Sequence, residues 1–220
     1  MTANFFETYP LAVTGEILRI LPDSVIIISG LMALLTNSFP MAVFFLSLLE
    51  AIAGFHVFRK TLNMLDITFV KPSDQLFTAK CQTGFQSATL QSFFGSPDVT
   101  NAIISPPLYI LSTAATYLFM GLNAQMQELE ALGPDYSSRY YISVFALCVF
   151  LFVLGVYRLH SGCEGIATVI LSIAVGLALG ALLIYQNRAI LGPDSINMLS
   201  IPLLKNRAVT GEKLYVCSPS

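Results

Sequence analysis

Residues 165–185, GIATVILSIAVGLALGALLIY, run for 21 positions without a charge. A bilayer core about 30 Å thick is spanned by about 20 helical residues at 1.5 Å each. A stretch of this length and polarity constrains the chain more than any other feature it carries. Four further apolar runs accompany it. Val25–Thr36 is short and reaches spanning length only by extending back to about Ile17, which takes in Arg19, Pro22 and Asp23. Met41–Phe58 is interrupted by Glu50 and His56. Ala102–Leu122 is uncharged but moderated by Pro106, Pro107, Ser112, Thr113 and Thr116. Tyr140–Tyr157 is the fourth. Composition agrees: 55% of the 220 residues are hydrophobic and 11% charged. Ordinary soluble domains carry about 25% charged residues. A soluble enzyme and a disordered chain are therefore excluded as first readings. The net charge of −2 gives no field to attract nucleic acid. The N-terminus, MTANFFETYP, lacks the basic region of a cleavable signal peptide.

The expected fold class is an all-α polytopic membrane protein. It is a bundle of four or five transmembrane helices in two hairpins, with a small C-terminal β-hairpin. Asn37-Ser38-Phe39-Pro40 turns the first hairpin and Arg158–Glu164, with Ser161-Gly162, the second. The resulting regions are an N-terminal hairpin (1–58), a polar and aromatic middle (59–139), a C-terminal hairpin (140–186) and an extramembrane tail (187–220). Thr210-Gly211-Glu212 reads as the turn of a hairpin between Asn206–Val209 and Lys213–Cys217. Pro-Asp occurs at 22–23, 97–98, 134–135 and 193–194, twice within Leu-Gly-Pro-Asp. Glycine closes a helix, proline stops it and aspartate caps the next, so the expectation is helix punctuation rather than a repeated catalytic motif.

Charge tests the topology. If the third run, 102–122, crosses the membrane, basic residues divide almost evenly between the two sides. If it is re-entrant or packs on the bundle, ten of the eleven fall on one side and only Arg158 on the other. Cytoplasmic enrichment of Lys and Arg favours the second arrangement; hydrophobic length favours the first. Four spans is the expected count, with both termini on the cytosol-equivalent side.

Glu50 is the sharpest intramembrane feature. An acid at bilayer depth costs about 2.5–3.5 kcal/mol on insertion scales, so it requires a partner, water or a proton. It reads as a hydrogen-bonded packing residue, with an ion or proton site as the sharper alternative. His56, about 240° round the helix from Glu50 at 100° per residue, is interfacial. His160, Cys163 and Glu164 form the one conceivable metal triad, a weak one in a single loop. Cysteines occur at 81, 148, 163 and 217. Four free thiols is the expected state; Cys81–Cys217 or Cys81–Cys163 could pair if both faced one oxidising side. Ser172, Gly176 and Gly180, four apart, place small side chains on one face for close helix packing. The fourth run is their expected neighbour. No GxSxG elbow, HExxH helix or phosphate loop is present, so no catalytic, cofactor or metal residue is assigned.

The blocks LGPDYSSRYYIS (132–143), YRLHSGCEG (157–165) and IYQNRAILGPDSINMLSIPLLKNRAVTGEKLYVC (184–217) carry a resemblance. The chain resembles uncharacterised membrane proteins of nucleocytoplasmic large DNA viruses, over most of its length from about residue 55. The resemblance brings no active-site residue. It implies a virion or viral-factory membrane and a minor capsid protein anchoring the shell to the internal membrane. Expected partners are the lipid bilayer and other capsid or membrane proteins, met through 59–100 and 187–220. No nucleic acid is expected, and a homo-oligomer stays open. The competing expectation is a small channel or proton transporter centred on Glu50.

Overall fold

The computed structural model describes residues 4–64, 104–126, 130 and 134–198. Its elements are α1 (Asn4–Thr36), α2 (Phe39–Met64), α3 (Pro106–Asn123), α4 (Pro134–His160), α5 (Ile166–Leu191) and a short 3-10 helix (Pro193–Ile196). The described residues contain no strand. The expected β-hairpin at 206–217 lies outside them, as does Pro97-Asp98.

Among the described residues three stretches are long and apolar enough to cross a membrane: Phe39–Phe58, Ser138–His160 and Ile166–Leu191. The apolar part of α1, Ile20–Thr36, is shorter. Hydroxyl-bearing residues inside these helices bond back to their own preceding turn. Ser47 Oγ donates to Val43 O at 2.8 Å, Thr61 Oγ1 to Val57 O at 3.0 Å and Ser143 Oγ to Arg139 O at 2.9 Å. Such back-bonding satisfies the polar atom locally and lets an apolar helix carry it.

The turns follow their residues. Asn37 takes a positive φ of 48°, a conformation asparagine tolerates better than most side chains. Two residues there suffice to reverse the chain. Gly192, at φ 85°, ends α5, and Pro193 opens the 3-10 helix behind it. Pro134 is the first residue of α4, where its missing N–H costs nothing. Pro22-Asp23, however, lies inside α1 and does not end it. The punctuation reading fails at that pair. The continuous α1 also carries the first apolar run back past Ile17.

Helix directions alternate. Ser105 at the head of α3 meets Ser172 near the head of α5, and Tyr117 further along α3 meets Asn187 near the end of α5. These two helices are therefore parallel. Phe44 contacts Tyr117 (ring centroids 5.3 Å) while Phe55 contacts Tyr109 (5.4 Å), so α2 is antiparallel to α3. Tyr140, near the start of α4, stacks on Phe119 near the end of α3 at 5.8 Å. Thus α1, α3 and α5 run one way and α2 and α4 the other. Residues 64, 104 and 163 lie at one end of the bundle; residues 37, 123 and 198 lie at the other.

The third run forms one unbroken helix packed at the centre of the bundle, one of the two arrangements expected for it. Pro107–Ala115 are all buried. Pro106 and Pro107 occupy its first turn, where free N–H groups would otherwise be orphaned. One apolar cluster joins α1, α2, α3 and α5 through Ile26, Phe44, Leu48, Tyr109, Tyr117 and Leu183. A second, nearer the other end, joins Leu18, Leu108, Leu111, Leu154 and Val169. Helix α4 is peripheral: Phe145 and Phe152 are 71% and 70% exposed. Water would penalise such a face; lipid tails would not.

Candidate functional site

The polar atoms of the bundle interior converge on α5. Asn187, buried, donates through Nδ2 to Ser47 Oγ at 2.7 Å and to Tyr117 Oη at 2.8 Å. Its main-chain carbonyl accepts from Ser195 Oγ at 3.2 Å. One residue therefore ties α5 to α2 and α3 through its side chain and to the 3-10 helix through its main chain. Lower down, Tyr109 Oη donates to Ala51 O at 3.0 Å. This tyrosine braces α2 against α3 by bonding a helix carbonyl directly. Each bond spans two elements and consumes donors that would be costly to leave unpaired in an apolar interior. The arrangement is that of a lock between helices. It presents no nucleophile–base pair.

Glu50 sits close to the middle of the Phe39–Phe58 stretch, on the outer surface of the bundle, where Gln186 Nε2 donates to its Oε1 at 3.0 Å. The partner that insertion energetics requires is thus an amide from α5. Asn187 and Gln186 are adjacent, so consecutive side chains of α5 reach Ser47 and Glu50 on α2. Ser47 and Glu50 are three apart and share a helix face.

Ser172, Gly176 and Gly180 face α3, where the sequence pointed to the fourth run. Ser172 Oγ accepts the N–H of Ser105 at 2.7 Å. A Cβ on Gly176 would stand 2.6 Å from Tyr109 O; one on Gly180 would stand 2.6 Å from Thr113 O and 2.8 Å from Thr116 Cβ. The two backbones touch, and any larger side chain would push them apart. The sequence showed the small face but named the wrong neighbour, because close approach needs a hydroxyl-bearing and backbone-exposing partner that the third run supplies.

The imagined metal triad is not formed. Arg158 Nε donates to Glu164 Oε1 at 3.0 Å, and Arg158 Nη2 bonds the same oxygen. Both side chains are buried. His160 is exposed, and Cys163 is disulfide-bonded, which overturns the expectation of four free thiols. Among the described residues no cluster of His, Cys, Asp and Glu could hold a metal. Cys148 is free and exposed on α4. His56 packs edge-on against Phe55, with centroids 5.8 Å apart.

A groove of about 170 Å³ opens between α3, α4 and α5, lined by Ala115, Phe119, Leu147, Cys148, Leu151 and Leu177 among others. Its lining includes neither Glu50 nor the Asn187 lock. Sequence reasoning missed Asn187, Tyr117 and the Arg158–Glu164 pair. An amide just beyond an uncharged 21-residue run was the available signal for the first. An acid and a base across one tight turn was the signal for the last.

Comparisons with protein-family models, with curated proteins and with solved structures found no match to this chain.

Proposed function

We propose that the protein is a non-enzymatic integral membrane scaffold in which all five helices cross the bilayer. The observation carrying this reading is how the interior is used. Asn187 and Tyr109 bond helix to helix, α3 and α5 meet backbone to backbone, and the groove beside them is apolar. Alternating helix directions support five crossings over four, because α3 runs parallel to α5 through the centre. Its serines, threonines and prolines lower its hydropathy but are covered by neighbours, so lipid need not solvate them.

In this reading the two ends present segments 59–100 and 187–220 on opposite sides of the membrane as docking surfaces. The resemblance of 132–143, 157–165 and 184–217 supplies the setting: the internal membrane of a large DNA virus, with capsid or membrane proteins as partners. Fractionation of purified particles followed by quantitative mass spectrometry tests it. The expected result is a carbonate-resistant component in fixed ratio to the shell proteins. Absence from particles would contradict the viral setting, and extraction by carbonate would contradict membrane integration.

A further inference from the structure

We infer that the groove between α3, α4 and α5 is a hydrocarbon-chain site, which holds one acyl chain of a bilayer phospholipid against the middle of α4. The inference rests on the membrane reading above. Helix α4 is fastened near its two ends. Near its start, Tyr140 stacks on Phe119 and donates through Oη to Asn123 Oδ1 at 3.3 Å. Near its end, Leu154 joins the cluster of Leu108, Leu111 and Val169, and Arg158 bonds Glu164 beyond the turn. Between these points α3 presents the small side chains of Ala115 and Thr116. Leu147, Cys148 and Leu151 of α4 and Leu177 of α5 stand around the space that is left, about 170 Å³. The three α4 residues lie around the middle of the 23-residue stretch Ser138–His160.

Water is a poor occupant of that space. A buried water makes about three hydrogen bonds to polar partners. Thr116 Oγ1 already donates to Ser112 O at 2.9 Å. Beyond that hydroxyl, the described lining offers one thiol and no charge. An apolar cavity of about 150 Å³ stays dry and takes hydrocarbon guests, and this groove is of that size. Its chemistry therefore calls for a saturated chain.

The mouth of the groove identifies the source of the chain. Cys148 and Leu177 are exposed, so the groove opens sideways at mid-helix. Phe145 and Phe152, three before and four after Cys148, share its face of α4 and are exposed as well. The groove is thus continuous with the surface that α4 turns to lipid. A lipid tail lying along that surface enters without crossing a polar layer. Inside, it gains dispersion contacts from three helices, where the outer face of α4 offers one. No lysine or arginine is among the lining residues, so the site recognises the chain and leaves the headgroup unread.

The test places the full chain in phosphatidylcholine nanodiscs that include a phosphatidylcholine with a diazirine at the middle of one chain. After irradiation, lipid adducts are mapped by mass spectrometry. Several-fold more adducts are expected on Leu147, Leu151 and Leu177 than on Phe145 and Phe152, which meet the same bilayer. Leu147→Trp fills the groove from α4 and is expected to abolish the excess while adducts on Phe145 and Phe152 persist. Should that variant fail to fold, the contrast between the two faces of the unaltered helix decides alone. Equal adduct density on both faces would overturn the inference, since α4 would then meet boundary lipid alike all round. A groove free of adducts, with Cys148–Cys148 dimers under copper–phenanthroline oxidation, would overturn it in favour of a second copy of the chain. Adducts on none of α2, α4 and α5 would defeat the membrane reading itself, which keeps the two failures apart.

Discussion

The hydroxyl of Ser172, on α5, accepts the backbone N–H of Ser105, the residue just before α3, at 2.7 Å. That bond fixes the register of two parallel helices near their N-terminal ends. From it, Gly176 and Gly180 fall opposite Tyr109 and Thr113, where only hydrogen fits. Gly176→Val and Gly180→Val are each expected to destabilise the bundle by about 1–3 kcal/mol through overpacking. Thermal unfolding in detergent reads this as a lowered Tm. Gly165→Ala has open space around it and serves as the control, expected to leave the Tm nearly unchanged.

Asn187 is the second fastening. Its two donors are satisfied by Ser47 and Tyr117, so Asn187→Leu loses both bonds and strands their partners. A double-mutant cycle of Asn187→Leu with Tyr117→Phe isolates the shared term. Interhelical hydrogen bonds in membranes are worth about 0.6 kcal/mol on average and up to about 1.7. A coupling within that range, of stabilising sign, is expected; zero coupling would remove the lock from the account.

The Arg158–Glu164 pair makes a sharper prediction. Removing one partner of a buried ion pair leaves an uncompensated charge and typically costs about 3–5 kcal/mol. Arg158→Met and Glu164→Leu are each expected to lower the unfolding midpoint strongly. The double variant is expected to recover most of the loss, because both charges leave together. Equal damage in the single and double variants would assign the effect to packing instead.

Glu50 separates scaffold from transporter. Its Oε1 accepts from Gln186, and a glutamine at 50 retains an oxygen able to do the same. Glu50→Gln is therefore expected to leave stability within about 0.5 kcal/mol, as surface changes usually do. In proteoliposomes the wild-type protein is expected to show no proton flux above empty vesicles. A flux abolished by Glu50→Gln would establish the transporter reading in its place.

Helix existence was written plainly in the chain, because long apolar runs have few alternatives to helix in lipid. The turns at Asn37 and Gly192 were legible from residue type. Pro22 misled, since proline is tolerated within a helix when neighbours cover it, and here it is buried. The third run was legible only in part. Its prolines, serines and threonines read as weakening a span, yet the same residues pack it at the centre, where small hydroxyls bond back to their own helix and let α5 approach. The candidate site was legible in part. Glu50 and the small face of α5 stood out as local anomalies, but their partners are far away along the chain, and one sequence has no means of pairing them.

The scaffold reading stands on docking through both ends. Lysine-directed crosslinking of intact particles, read by mass spectrometry, interrogates them directly through Lys60, Lys71 and Lys80 of segment 59–100 and Lys205 and Lys213 of segment 187–220. The account predicts crosslinks from both groups to shell or membrane proteins, with the two groups reaching different neighbours. A protein abundant in the particle membrane whose lysines crosslink only to one another would contradict it.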